Sequence, residues 1–346
     1  MTNLLPFEEL KREILIKSPN IETDDKFGVY PDKRNIKDHL DFGIVNVNKS
    51  AGPTSHQISD YVKQILKLDK AGHSGTLDPN VTGCLVVALS KATRVVAALL
   101  SAGKEYVCVM HVHESRTEKE IRDAIDKFIG KINQMPPVKS AVKREWRIRE
   151  VYYIEVLEID GQDVLFRVGC QAGTYIRKLC TDIGTLLGTQ AHMAELIRTK
   201  AGPFNVQDSH TLTDLIDAYA YYIENGNETE LRKCVLPFET AVSHLGKIYI
   251  FDSTIDTLTH GAPLNIPGIA KLDSEIEVGD NVAIMSLKGE LVGMGESKMS
   301  SDEIMKNSRG CVISSMKVFM GQGVYPKFVR DVKEEKAEIS KEESKK

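Results

Sequence analysis

Apolar residues follow two different periods along the first two-thirds of the chain. Residues 43–47 and 84–89 are short apolar runs that predict buried strands. Apolar positions recur at helical spacing after Thr54-Ser55-His56-Gln57 and again after Thr117-Glu118-Lys119-Glu120, and both openings have the capping-box pattern. Strands and helices therefore mix without strict alternation, which predicts an α+β fold with a mixed or antiparallel sheet.

Further elements continue this mixture up to about residue 244. The pattern predicts strands at 106–112 and 192–198, a hairpin of 151–159 with 164–168 across Asp160-Gly161, and helices at 92–100, 176–186 and 214–224. Residues 1–40 are polar and irregular in pattern, apart from a short amphipathic stretch from Phe7 to Ile16. We therefore expect a first segment of residues 1–40 and a main domain of residues 41–244.

The pattern changes near Leu245 into short strands separated by Gly, Asp and Ser. These strands are predicted at 248–251, 282–287, 291–294 and 312–319, with Lys288-Gly289-Glu290 as one hairpin connection. The segment 245–325 therefore predicts a small β-barrel-like module. Residues 326–346 form a mixed Lys/Glu run with few apolar residues, which predicts a disordered tail.

Composition narrows the class of protein. The chain has 346 residues, of which 42% are hydrophobic and 27% charged, which is typical of a soluble protein with two compact units. It has no apolar run of the ~18 residues that a membrane helix needs. Its first residues lack the basic and apolar regions of a secretory signal. We therefore expect an intracellular protein without a membrane segment.

Charge is mildly acidic overall but strongly basic in one segment. The chain has 45 Lys and Arg against 49 Asp and Glu, which argues against a strongly basic nucleic-acid binder. Residues 139–149, however, carry Lys139, Lys143, Arg144, Arg147 and Arg149 together with the only Trp. Composition favours two interpretations of this segment equally, an RNA-contacting loop or a solvated strand edge.

No metal or other cofactor is expected from the sequence. Six cysteines are scattered without a C-x-x-C pair, so neither a disulfide framework nor a zinc site is supported. His111-Val112-His113 places two histidines on one strand face, but an ordinary strand is the favoured interpretation.

The segment Gly72–Gly83 places one carboxylate, Asp78, where neither regular helix nor regular strand is predicted. Its glycines permit unusual backbone angles, and Pro79 disfavours the α region for Asp78. Such a loop against a buried strand can hold a nucleophile or base in one orientation. From spacing alone, a surface turn is the favoured alternative, since Asp-Pro pairs often form turns.

As a string, Gly72-His73-Ser74-Gly75-Thr76-Leu77-Asp78-Pro79-Asn80-Val81-Thr82-Gly83 resembles the catalytic motif of the TruB family of RNA pseudouridine synthases. More narrowly, it resembles the dyskerin-type catalytic subunit of H/ACA ribonucleoproteins. The resemblance implies that Asp78 is the catalytic nucleophile. It also implies a TruB-type catalytic domain at 41–244, a PUA RNA-binding domain at 245–325, and an N-terminal extension, 1–40, that packs on the PUA domain.

Other motifs of the same family follow in order. Asn48–His56 resembles the first motif, with Asn48 in place of Asp and Ser50 in place of Pro, and Lys104-Glu105-Tyr106 matches Lys-x-Tyr. Gly173–Leu179 matches the third motif, and Leu196–Phe204 the closing element, with Ile197 in place of Arg. The resemblance implies that Arg177 pairs with Asp78 and that Tyr106 stacks on the target base. The implied substrate-binding residues are Lys49, His73, Tyr106, Tyr175, Arg177 and Leu196.

The resemblance implies an RNA pseudouridine synthase, in one of two forms. The first is a guide-dependent H/ACA subunit acting on ribosomal RNA; the second is a stand-alone enzyme acting on the T-loop uridine of tRNA. Residues 134–144 and the N-terminal arm favour the first form. Its implied partners are the guide and substrate RNAs, small Gar-type and Nop-type proteins, and a kink-turn-binding ribosomal-type protein. The short tail favours an archaeal, cytoplasmic protein over a nucleolar one.

A non-catalytic RNA-binding scaffold is the alternative from a different class. The chain retains Asp78, Tyr106 and Arg177 together, which argues against a scaffold that has lost its chemistry.

Overall fold

The computed structural model describes residues 3–136 and 143–327. They form two compact units, one of residues 3–11, 31–136 and 143–245 and the other of residues 12–30 and 246–327. In these ranges the strands are β1 (Ile14–Ile16), β2 (Gly43–Lys49), β3 (Ala71–His73), β4 (Thr82–Leu89), β5 (Lys104–Val112), β6 (Gly130–Gln134), β7 (Arg147–Asp160), β8 (Asp163–Cys170), β9 (Ala191–Ala201), β10 (Phe204–Asn205), β11 (Val235–Pro237), β12 (Lys247–Ile250), β13 (Leu264–Asn265), β14 (Ile269–Asp273), β15 (Asn281–Met285), β16 (Leu291–Glu296), β17 (Cys311–Ile313) and β18 (Met316–Val318).

Helices lie between these strands. The α-helices of the described ranges are α1 (Pro6–Glu9), α2 (Ile36–Asp41), α3 (Ser55–Ile65), α4 (Val96–Ser101), α5 (Glu118–Asp126), α6 (Ile176–Leu186), α7 (Leu212–Asn225), α8 (Thr229–Cys234), α9 (Asp252–Thr259) and α10 (Ser301–Lys306). Short 3-10 helices span Pro31–Lys33, Ser90–Val95, Val206–Asp208, Phe238–Val242 and Ile266–Gly268. The capping boxes predicted at Thr54 and Thr117 are confirmed, since each hydroxyl accepts the N–H of the third helical residue.

The first unit is built on one mixed sheet. Its strand order is β11-β2-β4-β9-β5-β8-β7-β6, with β3 paired to β4 and β10 to β9. Neighbouring strands are antiparallel except β4 and β9, which run parallel where Gly83 faces Arg198. The predicted α+β class with a mixed sheet and the predicted β7–β8 hairpin are confirmed.

Two apolar clusters cover this sheet. One is formed by β2 and β4 with α3 and α7, and the other by β5 and β8 with α5 and α6. Tyr106, Met193 and Leu196, on β5 and β9, pack against both clusters. These three side chains form a shared floor between the two clusters, and the candidate site lies at this floor.

The second unit has its own sheet and core. Its strand order is β1-β14-β12-β15-β16-β18, and β13 pairs with β17. Buried side chains of this sheet and of α9 and α10 form a separate apolar cluster. The predicted connection at Lys288-Gly289-Glu290 is confirmed, because β15 and β16 pair antiparallel up to Met285 and Leu291.

Several local predictions were wrong. The stretch Phe7–Ile16 divides into α1, which ends before Leu10, and β1, which pairs with β14, so tertiary pairing overrides the local amphipathic pattern. Residues 31–41, predicted irregular, form a 3-10 turn and α2. Predicted helix 92–100 is 3-10 from Ser90 to Val95 and α-helical only in α4, because the chain follows two helical geometries in succession there.

Two other predictions misplaced strand boundaries. Residues 312–319 form two short strands with a bend at Ser314-Ser315. The two ends of the Gly72–Gly83 segment lie in β3 and β4, since pairing with the buried strand extends regular structure to the edge of the loop.

The predicted disordered tail lies outside the described residues from 328 onwards. Within the described ranges, the structure contains no helix with the length and apolar character that a membrane crossing requires.

Candidate active site

Asp78 lies on the loop of residues 74–81 that connects β3 to β4. The two strands pair antiparallel from Ala71 opposite Leu89 to His73 opposite Val87, and Ser74 N–H then donates to the Val86 carbonyl at 2.9 Å. Near the far end, Val81 N–H donates to the Asp78 carbonyl at 3.0 Å, which closes a turn around Pro79. The loop is therefore a wide hairpin connection held at both ends by the buried strand β4.

Lys49 supports this loop from beneath. It is the last residue of β2 and is 0% exposed. Its ammonium donates to the carbonyls of Ser50 at 2.9 Å, Pro79 at 2.9 Å and Val81 at 2.8 Å. Burial lowers the pKa of Lys49, while the nearby Asp78 carboxylate opposes that change. The geometry makes Lys49 an anchor of the loop backbone.

Ser55 holds the residue on the other side of Asp78. Its hydroxyl accepts the Leu77 N–H at 2.8 Å and donates to the Leu77 carbonyl at 3.1 Å. Leu77 is 4% exposed and belongs to the cluster under α3. Because Leu77 and Val81 are both anchored, the backbone on each side of the carboxylate is fixed.

The Asp78 side chain points out of this anchored loop and pairs with Arg177. The Asp78 Oδ2 accepts a hydrogen bond from a terminal guanidinium nitrogen of Arg177. Their side chains are 53% and 51% exposed. The structure thus brings together the carboxylate and the arginine that the sequence motifs single out, and leaves both accessible to a substrate.

Arg177 is presented by the first turn of α6. The helix packs through Ile176, Leu179 and Ile183, which places Arg177 on the opposite, exposed face. Gln134, at the end of β6 and 2% exposed, fixes the helix start. Its amide accepts the Tyr175 N–H at 2.9 Å and donates to the Tyr175 carbonyl at 3.2 Å. Tyr175 therefore has a defined backbone position two residues before Arg177.

Tyr106 and Leu196 lie on the floor between the two apolar clusters. Tyr106 pairs across strands with Arg198, and Leu196 with Cys108. Both side chains are half-buried. Burial raises the pKa of the Tyr106 phenol, while the nearby Arg198 guanidinium opposes that change. The phenol is therefore neutral near pH 7, and the floor offers a flat ring and an aliphatic side chain to a planar ligand.

His73 lies in β3, before the loop. Its Nδ1 accepts the Gly75 N–H at 3.4 Å, and its ring meets that of His56 edge-on at 6.3 Å. Burial lowers the pKa of His73, and the neighbouring His56 and Arg198 act in the same direction. The imidazole is therefore neutral near pH 7 and helps to shape the start of the loop.

The basic segment is only partly described. Lys139 lies outside the described residues, whereas Lys143 and Arg144 are exposed and Arg147 and Arg149 are half-buried on β7. The Arg149 guanidinium lies beside Gly173, where an added β-carbon would be 3.2 Å from its Nε. Arg149 is thus next to the turn that leads into Tyr175 and Arg177.

Three residues of the site escaped the sequence interpretation. Ser55 was seen only as part of a capping box, and Gln134 only as part of a motif. Arg198 belongs to the closing element Leu196–Phe204 but has no role assigned there, yet it is 2% exposed beneath the Asp78 loop. The motif match itself is the available signal for Arg198.

The histidines at His111 and His113 have neighbours that the sequence did not reveal. His192 approaches His113 at 2.9 Å between ring nitrogens, and Asp163 approaches His111 at 2.7 Å. Throughout the ranges that the structure describes, however, no three His, Cys, Asp or Glu side chains are arranged to hold a metal ion.

The arrangement offers reactive groups to a ligand: the accessible Asp78 carboxylate lies on a rigid loop, and the Tyr106 ring lies on the floor below. A carboxylate can act as a nucleophile or as a base, and the paired guanidinium favours its ionised form. An aromatic ring beside it can stack on a base that has left its helix. This combination fits a reaction on a nucleotide base or its sugar.

Comparison with known proteins identifies the family. The model described as "TruB family pseudouridylate synthase (N terminal domain)" matches residues 63–176, and "tRNA pseudouridylate synthase B C-terminal domain" matches residues 177–243. A "DKCLD (NUC011) domain" matches residues 4–59 and a "PUA domain" residues 246–319.

Two relatives share the name "Probable tRNA pseudouridine synthase B". The protein of Pyrococcus abyssi is 53% identical over 320 residues, which cover 92% of this chain and 96% of the relative. That of Methanothermobacter thermautotrophicus is 52% identical over 308 residues, which cover 89% and 95%.

Solved structures agree with this similarity over nearly the whole chain. A chain in "Structure of H/ACA RNP bound to a substrate RNA containing 2'-deoxyuridine" is 50% identical with a TM-score of 0.87, covering 94% of this chain and 100% of that one. A chain in "Crystal Structure of a Cbf5-Nop10-Gar1 Complex" is 53% identical with a TM-score of 0.88, covering 94% and 98%. The present chain therefore belongs to the TruB family of pseudouridine synthases, and its catalytic region is accompanied by DKCLD and PUA domains.

Proposed function

We propose that this pseudouridine synthase acts on uridines of ribosomal RNA as the catalytic subunit of a guide-RNA-dependent H/ACA ribonucleoprotein. One observation carries the proposal. The chain matches a chain of an H/ACA RNP bound to substrate RNA at 50% identity over 94% of its length. The PUA domain match adds an RNA-binding fold to the catalytic unit. The proposed place of action is inside the cell, in the cytoplasm of an archaeal host.

Asp78 is the proposed nucleophile. Pseudouridine formation breaks the N1–C1′ bond, rejoins the ring to C1′ through C5 and releases the C5 hydrogen as a proton. Because these atoms cannot be reached inside a duplex, the target nucleotide must leave its helix. The Asp78 carboxylate attacks either C1′ of the ribose or C6 of the uracil, or instead removes a ribose proton.

The other site residues have distinct proposed roles. Tyr106 stacks on the uracil, Leu196 packs beside it, and Arg177 holds the Asp78 carboxylate ionised and oriented. Lys49 and His73 keep the loop in shape, and Tyr175 borders the pocket. The pairing of Arg177 with Asp78 and the half-buried floor at Tyr106 support these assignments.

RNA beyond the target nucleotide is the proposed ligand of the basic residues. Lys139, Lys143, Arg144, Arg147 and Arg149 supply cations for its phosphates. The position of Arg149 beside Gly173 supports a path for RNA that ends at Arg177.

The proposed protein partners are a Gar-type and a Nop-type small protein, together with a kink-turn-binding ribosomal-type protein. The similarity to a chain of a Cbf5-Nop10-Gar1 complex supports the first two. The third rests on the resemblance to the dyskerin-type branch alone.

A second candidate is modification of tRNA without a guide. The names of the relatives from Pyrococcus abyssi and Methanothermobacter thermautotrophicus, both "Probable tRNA pseudouridine synthase B", favour it. The same catalytic site serves either substrate, so the two candidates differ in how RNA is delivered.

One experiment separates these candidates. The full chain is incubated with RNA labelled with tritium at C5 of uridine, and the tritium released into water is measured. One set of reactions contains a guide RNA and the small partner proteins, and another contains tRNA alone. Release only with a matched guide supports the H/ACA proposal, whereas release from tRNA alone supports the second candidate. Tritium release from neither set of reactions would contradict both candidates.

A further inference from the structure

Arg198 is a buried guanidinium without a carboxylate partner. It is 2% exposed on β9, and in the described part of the chain none of the ion pairs includes it. Burying a charge without a counter-ion costs folding free energy, which hydrogen bonds must offset. Arg198 therefore calls for a physical explanation beyond packing.

The hydrogen bonds of Arg198 reach both ends of the Asp78 loop. Its Nε donates to the Cys84 carbonyl at 2.7 Å, just after the loop rejoins β4. A terminal nitrogen donates to the Gly75 carbonyl at 3.4 Å, near the start of the loop. The Arg198 side chain thus connects the backbone before Asp78 to the backbone after it.

The guanidinium also reaches the aromatic floor. Arg198 and Tyr106 lie directly opposite each other in the β5–β9 pairing, and the Arg198 guanidinium opposes the rise that burial causes in the pKa of the Tyr106 phenol. Arg198 therefore joins the loop that carries the carboxylate to the ring beside it. Its planar fork suits this task, because the separate N–H groups point in fixed directions that a lysine ammonium does not reproduce.

The backbone around Arg198 leaves little room for adjustment. Gly83 lies opposite Arg198 in the parallel β4–β9 pairing and has a φ of 99°. A β-carbon at Gly83 would lie 2.3 Å from the Arg198 carbonyl oxygen. The strand that carries Arg198 is thus held close to the base of the loop, which fixes where its guanidinium reaches.

We propose that Arg198 is a positioning residue for pseudouridine formation, which ties the Asp78 loop to the ring of Tyr106. It sets the distance between the carboxylate and the stacked uracil without touching the reacting atoms. This inference rests on the proposed roles of Asp78 and Tyr106. It adds a residue that acts through both of them.

The test compares Arg198→Lys, Tyr106→Phe and the double variant in the assembly that releases tritium in the experiment above. We expect Arg198→Lys to lower the single-turnover rate by about 100-fold, the loss typical of a misplacement of about 1 Å. The dissociation constant for RNA is expected to change less than about threefold, because Arg198 is shielded from it. Arg167→Lys, an exposed arginine on β8, is the matched control and should keep the wild-type rate.

Coupling between the two residues distinguishes positioning from simple packing. Tyr106→Phe keeps the ring but removes the hydroxyl that faces Arg198, and we expect a loss of about tenfold, as for one polar contact. The double variant should be no slower than Arg198→Lys alone, because both substitutions disrupt the same contact. Additive losses, or a change below threefold for Arg198→Lys, would overturn the proposal. If Arg198→Lys does not fold, an unchanged rate for Tyr106→Phe overturns it, and a tenfold loss supports it.

Amide hydrogen exchange of residues 74–81 tests the inference without turnover. Faster exchange in Arg198→Lys than in Arg167→Lys is expected, because the loop loses two backbone anchors. Equal exchange would overturn the inference even for a protein that released no tritium. Absence of tritium release by the wild-type assembly would instead contradict the proposed function.

Discussion

Two cations lie on opposite sides of the Asp78 loop, and their environments differ completely. Beneath the loop, Lys49 is fully buried and donates to three backbone carbonyls. Above it, Arg177 is half-exposed and pairs with the carboxylate itself. The shape of the loop and the orientation of its carboxylate are therefore maintained by different groups, which mutation can separate.

This division has a physical basis. A buried ammonium is useful only where several acceptors satisfy it, and loop carbonyls have no strand partner to take that role. An exposed ion pair adds little stability, but it can orient two groups at a surface. We therefore expect the inner cation to act on folding and the outer cation on the proposed chemistry.

The largest effect is expected for the group that both cations surround. Asp78→Asn keeps the shape of the side chain but removes its charge and nucleophilicity, and should reduce tritium release by at least about 10⁴-fold, about 5 kcal/mol in the barrier. Its urea unfolding midpoint should match that of the wild type. Residual activity within tenfold of the wild type would remove Asp78 from the mechanism.

Lys49→Met should be the most damaging change to stability. Three carbonyls lose their donor, partly offset because no charge remains buried, so the free energy of unfolding should fall by about 3 kcal/mol. Urea unfolding measures this loss, and Lys63→Met, on the exposed side of α3, is the control. If Lys49→Met is as stable as the control, the loop is not anchored as described.

Arg177→Lys should show the opposite balance. It keeps the positive charge but loses the planar fork, and we expect a rate about 30-fold slower, about 2 kcal/mol. Because the pair is half-exposed, stability should change by less than about 1 kcal/mol. Arg122→Lys, an exposed arginine on α5 paired with Glu118, serves as control. A larger loss in stability than in rate would reverse the comparison.

Ser55→Ala, which removes an anchor beneath the loop, should change stability and activity least. Both hydrogen bonds to the Leu77 backbone are lost, which should cost about 1 kcal/mol of unfolding free energy. Activity should fall by only a few-fold, because Lys49 still anchors the opposite end of the loop. Ser243→Ala, at an exposed hydroxyl, is the control for stability. Equal stability of the two variants would show that Ser55 is dispensable.

Sequence was most informative about the outer side of the loop. The string around Asp78 and the motif around Arg177 placed the two residues in one site, and the structure pairs them. It was least informative about which charged side chains are buried beneath the loop. The motifs single out Lys49 and include Arg198, but they do not show that both side chains are buried and donate to backbone carbonyls, because a linear pattern does not reveal which carbonyls lie within reach. The prediction for the amphipathic stretch Phe7–Ile16 was wrong for a related reason, since local sequence does not show that Ile14–Ile16 pairs with the distant strand β14.

The shared floor of Tyr106, Met193 and Leu196 has a consequence for how such a protein can change over generations. Each of these side chains packs against both apolar clusters of the first unit. An inherited change of volume in one cluster is therefore transmitted to the other through these three side chains, of which Tyr106 and Leu196 are the proposed uracil contacts. We expect suppressor substitutions for such a change to arise across the floor as well as within the altered cluster. The two clusters are then expected to diversify together.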